Sequence, residues 1–181
     1  DEVMTIFLAG HETTANALTW TLALLSLHPD VQRRLERELD EVLQGRPPSL
    51  ADLPQLVYAA QVLKESMRLL PPVWLMGRRV CDDDELGGHL VKKGSFVFVS
   101  PYVTQRHPAF WHNPEGFDPE RFSPARVAEE RERGRPKYAY FPFSGGPRQC
   151  IGNYMAEMEA QLLLATLLQR YRLALVPGYR V

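Results

Sequence analysis

The fold is decided by the stretch FSGGPRQCIG, which runs from Phe143 to Gly152. Its glycines and its proline predict a tight loop that delivers one cysteine, Cys150, to the first turn of a helix. Free amide groups and the helix dipole at such a place favour a thiolate over a thiol. Arg148, two residues before the cysteine, can pair with an anionic group on a ligand. Taken alone, Cys150 is more simply interpreted as a buried free cysteine, but the residues around it favour a binding loop.

The length and composition of the whole chain fit one globular domain. The chain has 181 residues, of which 45% are hydrophobic and 24% charged, and its formal net charge is −1. The balanced charge argues against binding to nucleic acid or to an anionic membrane, which requires a basic chain or patch. Two cysteines exclude a dense disulfide scaffold. The longest uncharged run, 13–27, is shorter than the about 20 residues that span a bilayer.

Hydrophobic periodicity and turn residues predict a mainly helical fold with small β-sheets. Helices are expected over 1–27, 31–44, 55–70 and from 151 to about 171, with Asp30 and Ser49 as caps. Strands are expected over 79–81, 88–91, 95–99 and 172–176, and 104–150 reads as a long ordered loop with a solvated charge run at 126–137. Residues 1–27 are apolar on nearly every side, so we expect them to lie inside a larger protein.

Two further segments combine residues that chemistry could use. Glu65 and Arg68 lie three positions apart on a predicted helix, so they share a face and can pair, although most such pairs are only solvated surface contacts. The segment 9–14, AGHETT, places an acid and two hydroxyls inside an apolar helix, which is costly unless those groups are used. A local kink with threonine bonded back to the helix is the alternative interpretation.

The cysteine stretch resembles the haem-binding loop of the cytochrome P450 family of haem-thiolate monooxygenases. The family pattern Phe-x-x-Gly-x-Arg-x-Cys-x-Gly is met in full by Phe143, Gly146, Arg148, Cys150 and Gly152. The resemblance implies that Cys150 is the axial iron ligand of haem b, with a thiolate that favours O–O cleavage. It also implies that Phe143 packs near the sulfur and that Arg148 contacts a haem propionate.

The Glu65 segment resembles the family's Glu-x-x-Arg motif, which an arginine downstream completes. Here that residue is Arg121, in the sequence Phe117 to Phe122. The resemblance implies a buried carboxylate held between the guanidiniums of Arg68 and Arg121. Such a network fixes the conformation of a loop more than it adds net stability.

The segment 9–14 resembles the family motif that covers the oxygen-binding face of the haem. The resemblance implies that Glu12 and Thr13 relay protons through water to dioxygen. It implies that Ala9 and Gly10 line the oxygen and substrate pocket.

Weaker signals concern single residues. Arg79 lies where the family often places a propionate-binding arginine, and its neighbour Arg78 is the alternative. His107 is displaced by two positions from the family's usual histidine, so the resemblance does not decide whether that loop contacts a propionate. Cys81 is expected to serve packing.

The resemblance covers residues 1–181 and implies the C-terminal portion of a single haem-thiolate domain whose N-terminal portion is absent. The whole protein would insert one atom of O2 into a small, apolar organic substrate. Its electrons would come from a ferredoxin- or flavin-reductase-type donor protein, which could face the charges of 131–137, and we expect a cytoplasmic location. Two alternatives stay open: a peroxide-dependent or rearranging haem-thiolate enzyme, and a truncated, non-catalytic haem-binding or interaction chain.

Overall fold

The computed structural model describes residues 1–176 and 178 and confirms a mainly helical fold with small sheets. The helices are α1 (Glu2–Leu27), α2 (Pro29–Leu43), α3 (Val57–Leu69), α4 (Pro101–Thr104), α5 (Pro124–Glu132) and α6 (Asn153–Leu168). The strands are β1 (Met76–Arg79), β2 (Asp84–Leu86), β3 (His89–Val91) and β4 (Phe96–Val99). Short 3-10 turns lie at Leu50–Asp52, Pro119–Phe122, Lys137–Ala139 and Gly146–Arg148.

Four helices form the hydrophobic core, with α3 packed against α1, α2 and α6. Leucines recur along the inner faces because helical periodicity returns a side chain to the same face every three or four residues. Burying each leucine contributes about 1.5–3 kcal/mol relative to leaving it in water. The most deeply buried members are Leu25, Leu35, Leu39, Leu43, Leu56 and Leu164. Because α3 is central, its side chains are held in fixed positions.

Helix α1 is only partly in this core. Its buried residues begin at Thr14, whereas Ile6, Phe7 and Leu8 are each more than 60% exposed. Within the described residues, no helix combines the length and the apolar character needed to cross a membrane. The apolar first turns of α1 therefore present an open surface of a kind that monomeric proteins seldom leave uncovered.

Two predicted helix boundaries are settled by their caps. Helix α2 begins at Pro29 and is preceded by His28, so the prediction that Asp30 caps it is wrong. Proline suits the first helical position because its missing N–H would have no partner there. Ser49 does cap the following turn, where it and Asp52 exchange hydrogen bonds in a capping box.

The strands differ more from prediction than the helices do. The first strand lies at Met76–Arg79 rather than at 79–81, and it pairs antiparallel with β4. The predicted strand at 172–176 is wrong, because those residues have no regular structure. Strand β2 was not predicted, although Gly87 and Gly88 with φ of 58° and 83° form the two-residue turn that joins it to β3.

The region after β4 contains short helical turns rather than one continuous loop. The charge run expected to be solvated lies mostly on α5, in which no residue is buried. Helix α5 begins with Pro124 after the cap residue Ser123. The segment is therefore exposed as expected but is helical over its first half.

The Glu65 carboxylate lies at the junction of α3 and this region. Its two oxygens accept hydrogen bonds from Arg68 Nε at 2.7 Å and Nη2 at 2.9 Å, from Arg121 Nε at 3.2 Å, and from the Asp118 amide at 2.9 Å. Glu65 and Arg68 are fully buried, and Arg121 is 5% exposed. One carboxylate thus holds two guanidiniums in the interior.

The remaining guanidinium protons bind backbone carbonyl groups of the downstream turns. Arg68 donates to the carbonyls of Gln105 at 2.9 Å, Pro114 at 2.6 Å and Gly116 at 3.0 Å. Arg121 donates to the carbonyl of Asn113 at 2.7 Å. Each turn is fixed by donors whose own positions depend on Glu65, so the network determines the path of residues 105–121.

Replacing Glu65 with glutamine should destabilise the complete protein by about 3–5 kcal/mol, because two buried guanidiniums lose their counter-charge. Chemical denaturation followed by circular dichroism measures this loss. Glu36→Gln is the matched control, because Glu36 pairs with Arg172 at the surface and such a pair contributes about 1 kcal/mol or less. Equal losses in the two variants would refute the structural role of Glu65.

Candidate functional site

A cleft of about 670 Å³ opens beside the cysteine stretch, between α1, α3 and α6. Most of its wall is apolar, which suits a flat hydrophobic ligand. The predicted site residues on its wall are Ala9, Gly10, Thr13, Phe143, Arg148, Cys150 and Gly152. Glu12, Arg79 and Gly146 do not line it.

The cysteine loop has a backbone that few sequences can adopt. Ser144 and Gly146 have positive φ values of 63° and 68°, and glycine is the residue that tolerates such values without strain. A Cβ added at Gly145 would lie 2.5 Å from the ring of Tyr138, so a larger residue there would have to displace that ring. The glycines predicted to be ligand contacts therefore serve first to shape the loop.

Cys150 is placed by a backbone hydrogen bond. Its amide donates to the carbonyl of Phe143 at 3.0 Å, which closes the loop into a narrow turn. Helix α6 begins at Asn153, so the cysteine lies three residues before the helix rather than in its first turn as predicted. Its thiol is exposed and faces the cleft, and Cys150 and Cys81 are both free cysteines.

Gln105 connects the cysteine loop to α3, and sequence reasoning missed it. Its side-chain oxygen accepts the amide of Phe141 at 2.9 Å, and its side-chain nitrogen donates to the carbonyl of Met67 at 2.9 Å. The side chain is fully buried. No local motif surrounds Gln105 that would reveal this role, because its partners are more than 30 residues away along the chain.

Tyr140 makes a second connection between the same two elements. Its hydroxyl donates to the carbonyl of Lys64 at 3.2 Å, one residue before Glu65. Burial raises the pKa of Tyr140 well above its usual value, so the hydroxyl stays protonated and keeps this bond at any physiological pH. The segment that leads into the cysteine loop is therefore anchored to α3 at two points.

The opposite wall is formed by the 9–14 segment of α1. The Thr13 hydroxyl donates to the carbonyl of Ala9 at 2.7 Å, and Thr14 is buried beside it. A Cβ added at Gly10 would meet no protein atom within 4 Å, so the space next to it is open. Glu12 is exposed and does not line the cleft, whereas its neighbour Thr13 does.

Two guanidiniums of the described residues line the cleft, and one of them belongs to Arg78 rather than to the expected Arg79. Arg148 and Arg78 are on the wall, whereas Arg79 is not. Arg78 and Arg79 are both on β1, and successive side chains of a strand point to opposite faces, so only one of these two neighbours can face the cleft. Neither Arg78 nor Arg148 forms an ion pair within the described residues, which leaves both available to an anionic group.

The donor set fits a haem. A cysteine sulfur is a soft ligand that iron accepts, and the apolar walls suit a porphyrin ring. The two available guanidiniums suit its two carboxylates. The open space beside Gly10 and Gly152, where an added Cβ would meet no atom, is where a flat ring could approach the backbone closely.

Comparison with known proteins agrees with this geometry. A family model described as Cytochrome P450 matches residues 1–181. Cyclooctatin synthase of Streptomyces melanosporofaciens is 46% identical over 100% of the chain and 38% of its own length. Cyclooctat-9-en-7-ol 5-monooxygenase of the same organism is 43% identical over 98% of the chain and 38% of its own length. Cytochrome P450 4V2 of Mus musculus is 44% identical over 94% of the chain and 32% of its own length.

Proposed function

Because the chain belongs to the cytochrome P450 family, we propose that the complete protein is a haem-thiolate monooxygenase in which Cys150 ligates the iron of haem b. The observation that carries the proposal is that Cys150, Arg148, Arg78 and Thr13 meet on the walls of one cleft. The chain spans between 32% and 38% of the length of the relatives named above, so the activity proposed is that of the whole protein. When bound, the haem activates dioxygen so that one oxygen atom enters an organic substrate, with electrons from a donor protein.

The chain's own residues bind and orient this group. Cys150 supplies a thiolate from a loop whose turn is shaped by its glycines and closed by the Phe143 carbonyl. Arg148 and Arg78 neutralise the two carboxylates, and charge-assisted hydrogen bonds of this kind are among the strongest available to a protein. Phe143 contributes an apolar side chain to the wall that also carries Cys150.

Thr13 is the group on the α1 wall that can hold a proton for the reaction. Its hydroxyl is bound to the Ala9 carbonyl and can turn from that acceptor to a water or ligand in the cleft. Glu12 is exposed, and it can exchange protons with solvent and pass them to Thr13 through water. In this arrangement Thr13 acts at the cleft and Glu12 acts as the proton source behind it.

The substrate is proposed to be a small, apolar organic molecule. Ile6, Phe7, Val73 and Met76 line the cleft, and they offer dispersion contacts but no hydrogen bonds. Two of the relatives carry names that refer to cyclooctatin chemistry, and one of those names specifies an alcohol as its substrate. A hydrocarbon-rich molecule with few polar groups fits both observations.

The source of the electrons distinguishes this function from a peroxide-dependent one. Because Glu12 lies off the wall, its protons would reach Thr13 only through water, and this is the one observation that favours the alternative, since peroxide chemistry does not need a proton relay. A ferredoxin- or flavin-reductase-type donor is proposed to approach from the cysteine side, where 131–137 is mostly exposed.

The axial ligand is tested by replacing each cysteine in turn. In Cys150→Ser the complete protein should lose the thiolate-type absorption band of the reduced, carbon-monoxide-bound haem, because a hydroxyl does not replace the thiolate. In Cys81→Ser, the matched control, the band should be unchanged. A band that survives in Cys150→Ser would exclude Cys150 as the ligand.

The carboxylate contacts are tested by comparing neighbours on β1. Arg78→Gln should raise the rate of haem dissociation by roughly tenfold or more, since a charge-assisted hydrogen bond contributes about 1.5–3 kcal/mol. Arg79→Gln should leave the rate near that of the unmodified protein. Transfer of haem to an acceptor protein measures both rates, and the reverse order would assign the contact to Arg79.

The reaction class is tested by supplying the two oxidants separately. With dioxygen and an electron-donor protein, the complete protein should hydroxylate an apolar substrate. Thr13→Ala should then release more peroxide for each dioxygen consumed, because proton delivery is impaired. Turnover with peroxide, together with none from dioxygen and donor, would establish the alternative function.

A further inference from the structure

Arg135 is a half-buried cation that lies over an aromatic ring. Its guanidinium carbon lies 4.4 Å from the ring centroid of Trp111, and no carboxylate of the described residues lies within ion-pair distance of it. Burial lowers the pKa of Arg135, and the charges of Arg121 and Arg126 lower it further, whereas Glu130 raises it. A cation in such surroundings is costly unless the aromatic ring stabilises it.

Trp111 connects that cation to the Glu65 network. The indole is 2% exposed, and the guanidinium carbon of Arg68 lies 5.1 Å from the same ring centroid. Two guanidiniums therefore share one aromatic ring, although like charges repel. An apolar side chain at position 135 would avoid this repulsion, so the arginine occupies this position at an electrostatic cost.

Trp111 also contacts the segment that leads into the cysteine loop. Its indole Nε1 donates to the carbonyl of Ala139 at 3.3 Å. A ladder of rings runs in parallel, with centroids 6.0 Å apart from Trp111 to Phe122 and 4.8 Å apart from Phe122 to Tyr140. Both paths reach residues that lie immediately before Phe141, whose amide is held by Gln105.

We propose that Arg135 is a positioning residue for the cysteine loop, acting through Trp111 and Ala139 on the segment 139–143. By covering the indole, Arg135 holds the ring against Ala139, so the loop is fixed from its outer side while Gln105 and Tyr140 fix it from α3. The inference rests on the proposed function, because the loop it positions carries the proposed iron ligand.

Arginine suits this position better than lysine. A guanidinium is planar and weakly hydrated, so it stacks on an indole at little desolvation cost. Lysine would place a compact, strongly hydrated charge against the ring. The contact therefore depends on the shape of the group as well as its charge.

Hydrogen–deuterium exchange of the complete protein tests the proposal without requiring bound haem. In Arg135→Met, peptides covering 139–152 should exchange roughly threefold to tenfold faster, because the cation–π contact that holds Trp111 against Ala139 is lost. Arg131→Met is the matched control, since it removes the same charge from an exposed position on α5, and it should leave these peptides unchanged. Peptides from α3 and α6 should keep their rates in both variants.

A second readout follows the haem-bound protein. In Arg135→Met, the share of reduced, carbon-monoxide-bound protein with the thiolate-type band should fall, whereas a role in overall stability alone would leave that share unchanged in the folded fraction. If the unmodified protein lacks the band, the proposed function fails, while the exchange comparison still decides the role of Arg135.

Equal exchange in Arg135→Met and Arg131→Met would overturn the proposal. Faster exchange spread evenly over α3, α6 and the loop would also overturn it, because that pattern indicates a loss of global stability. If Arg135→Met does not fold, Trp111→Phe takes its place, since it removes the Nε1 donor to Ala139 and keeps a ring. Faster exchange of 139–152 is then expected, and unchanged exchange would refute the path through Trp111.

Discussion

The arrangement of this protein depends on one buried carboxylate. Glu65 lies on the central helix α3, and it compensates the charges of Arg68 and Arg121 at once. Those two arginines in turn supply the donors for carbonyl groups of the downstream turns, which have no regular secondary structure to satisfy them. A region rich in proline and glycine thereby acquires a single conformation through side-chain donors rather than through a helix or a sheet.

The cysteine loop depends on that conformation from one side and on its own glycines from the other. Gly146 allows the backbone to turn with a positive φ, and Gly145 leaves room for the ring of Tyr138. Gln105 and Tyr140 then fix the approach to the loop against α3. A cysteine presented by a loop with these fixed points has less conformational freedom to lose, which is how a preorganised site limits the entropic cost of binding.

Much of this could be predicted from the sequence. The four long helices, the cysteine loop and the Glu65–Arg68 pair follow from periodicity and from a motif that resembles a known family. The choice of Arg78 over Arg79 as the cleft residue could not be predicted, because it depends on which face of β1 meets the cleft. The predicted strand also began three residues too late. Gln105 and Trp111 were missed for another reason: their partners are distant in sequence, and no local pattern reports them.

The long separations within the network also govern how the chain reaches its native state. Arg121 is 56 residues from Glu65, and Gly116 is 48 residues from Arg68. Contacts of this range form only after long loops close, so they are made late compared with the helix–coil steps that build α3. Until those loops close, the two guanidiniums stay hydrated, and residues 105–121 lack the donors that fix their path.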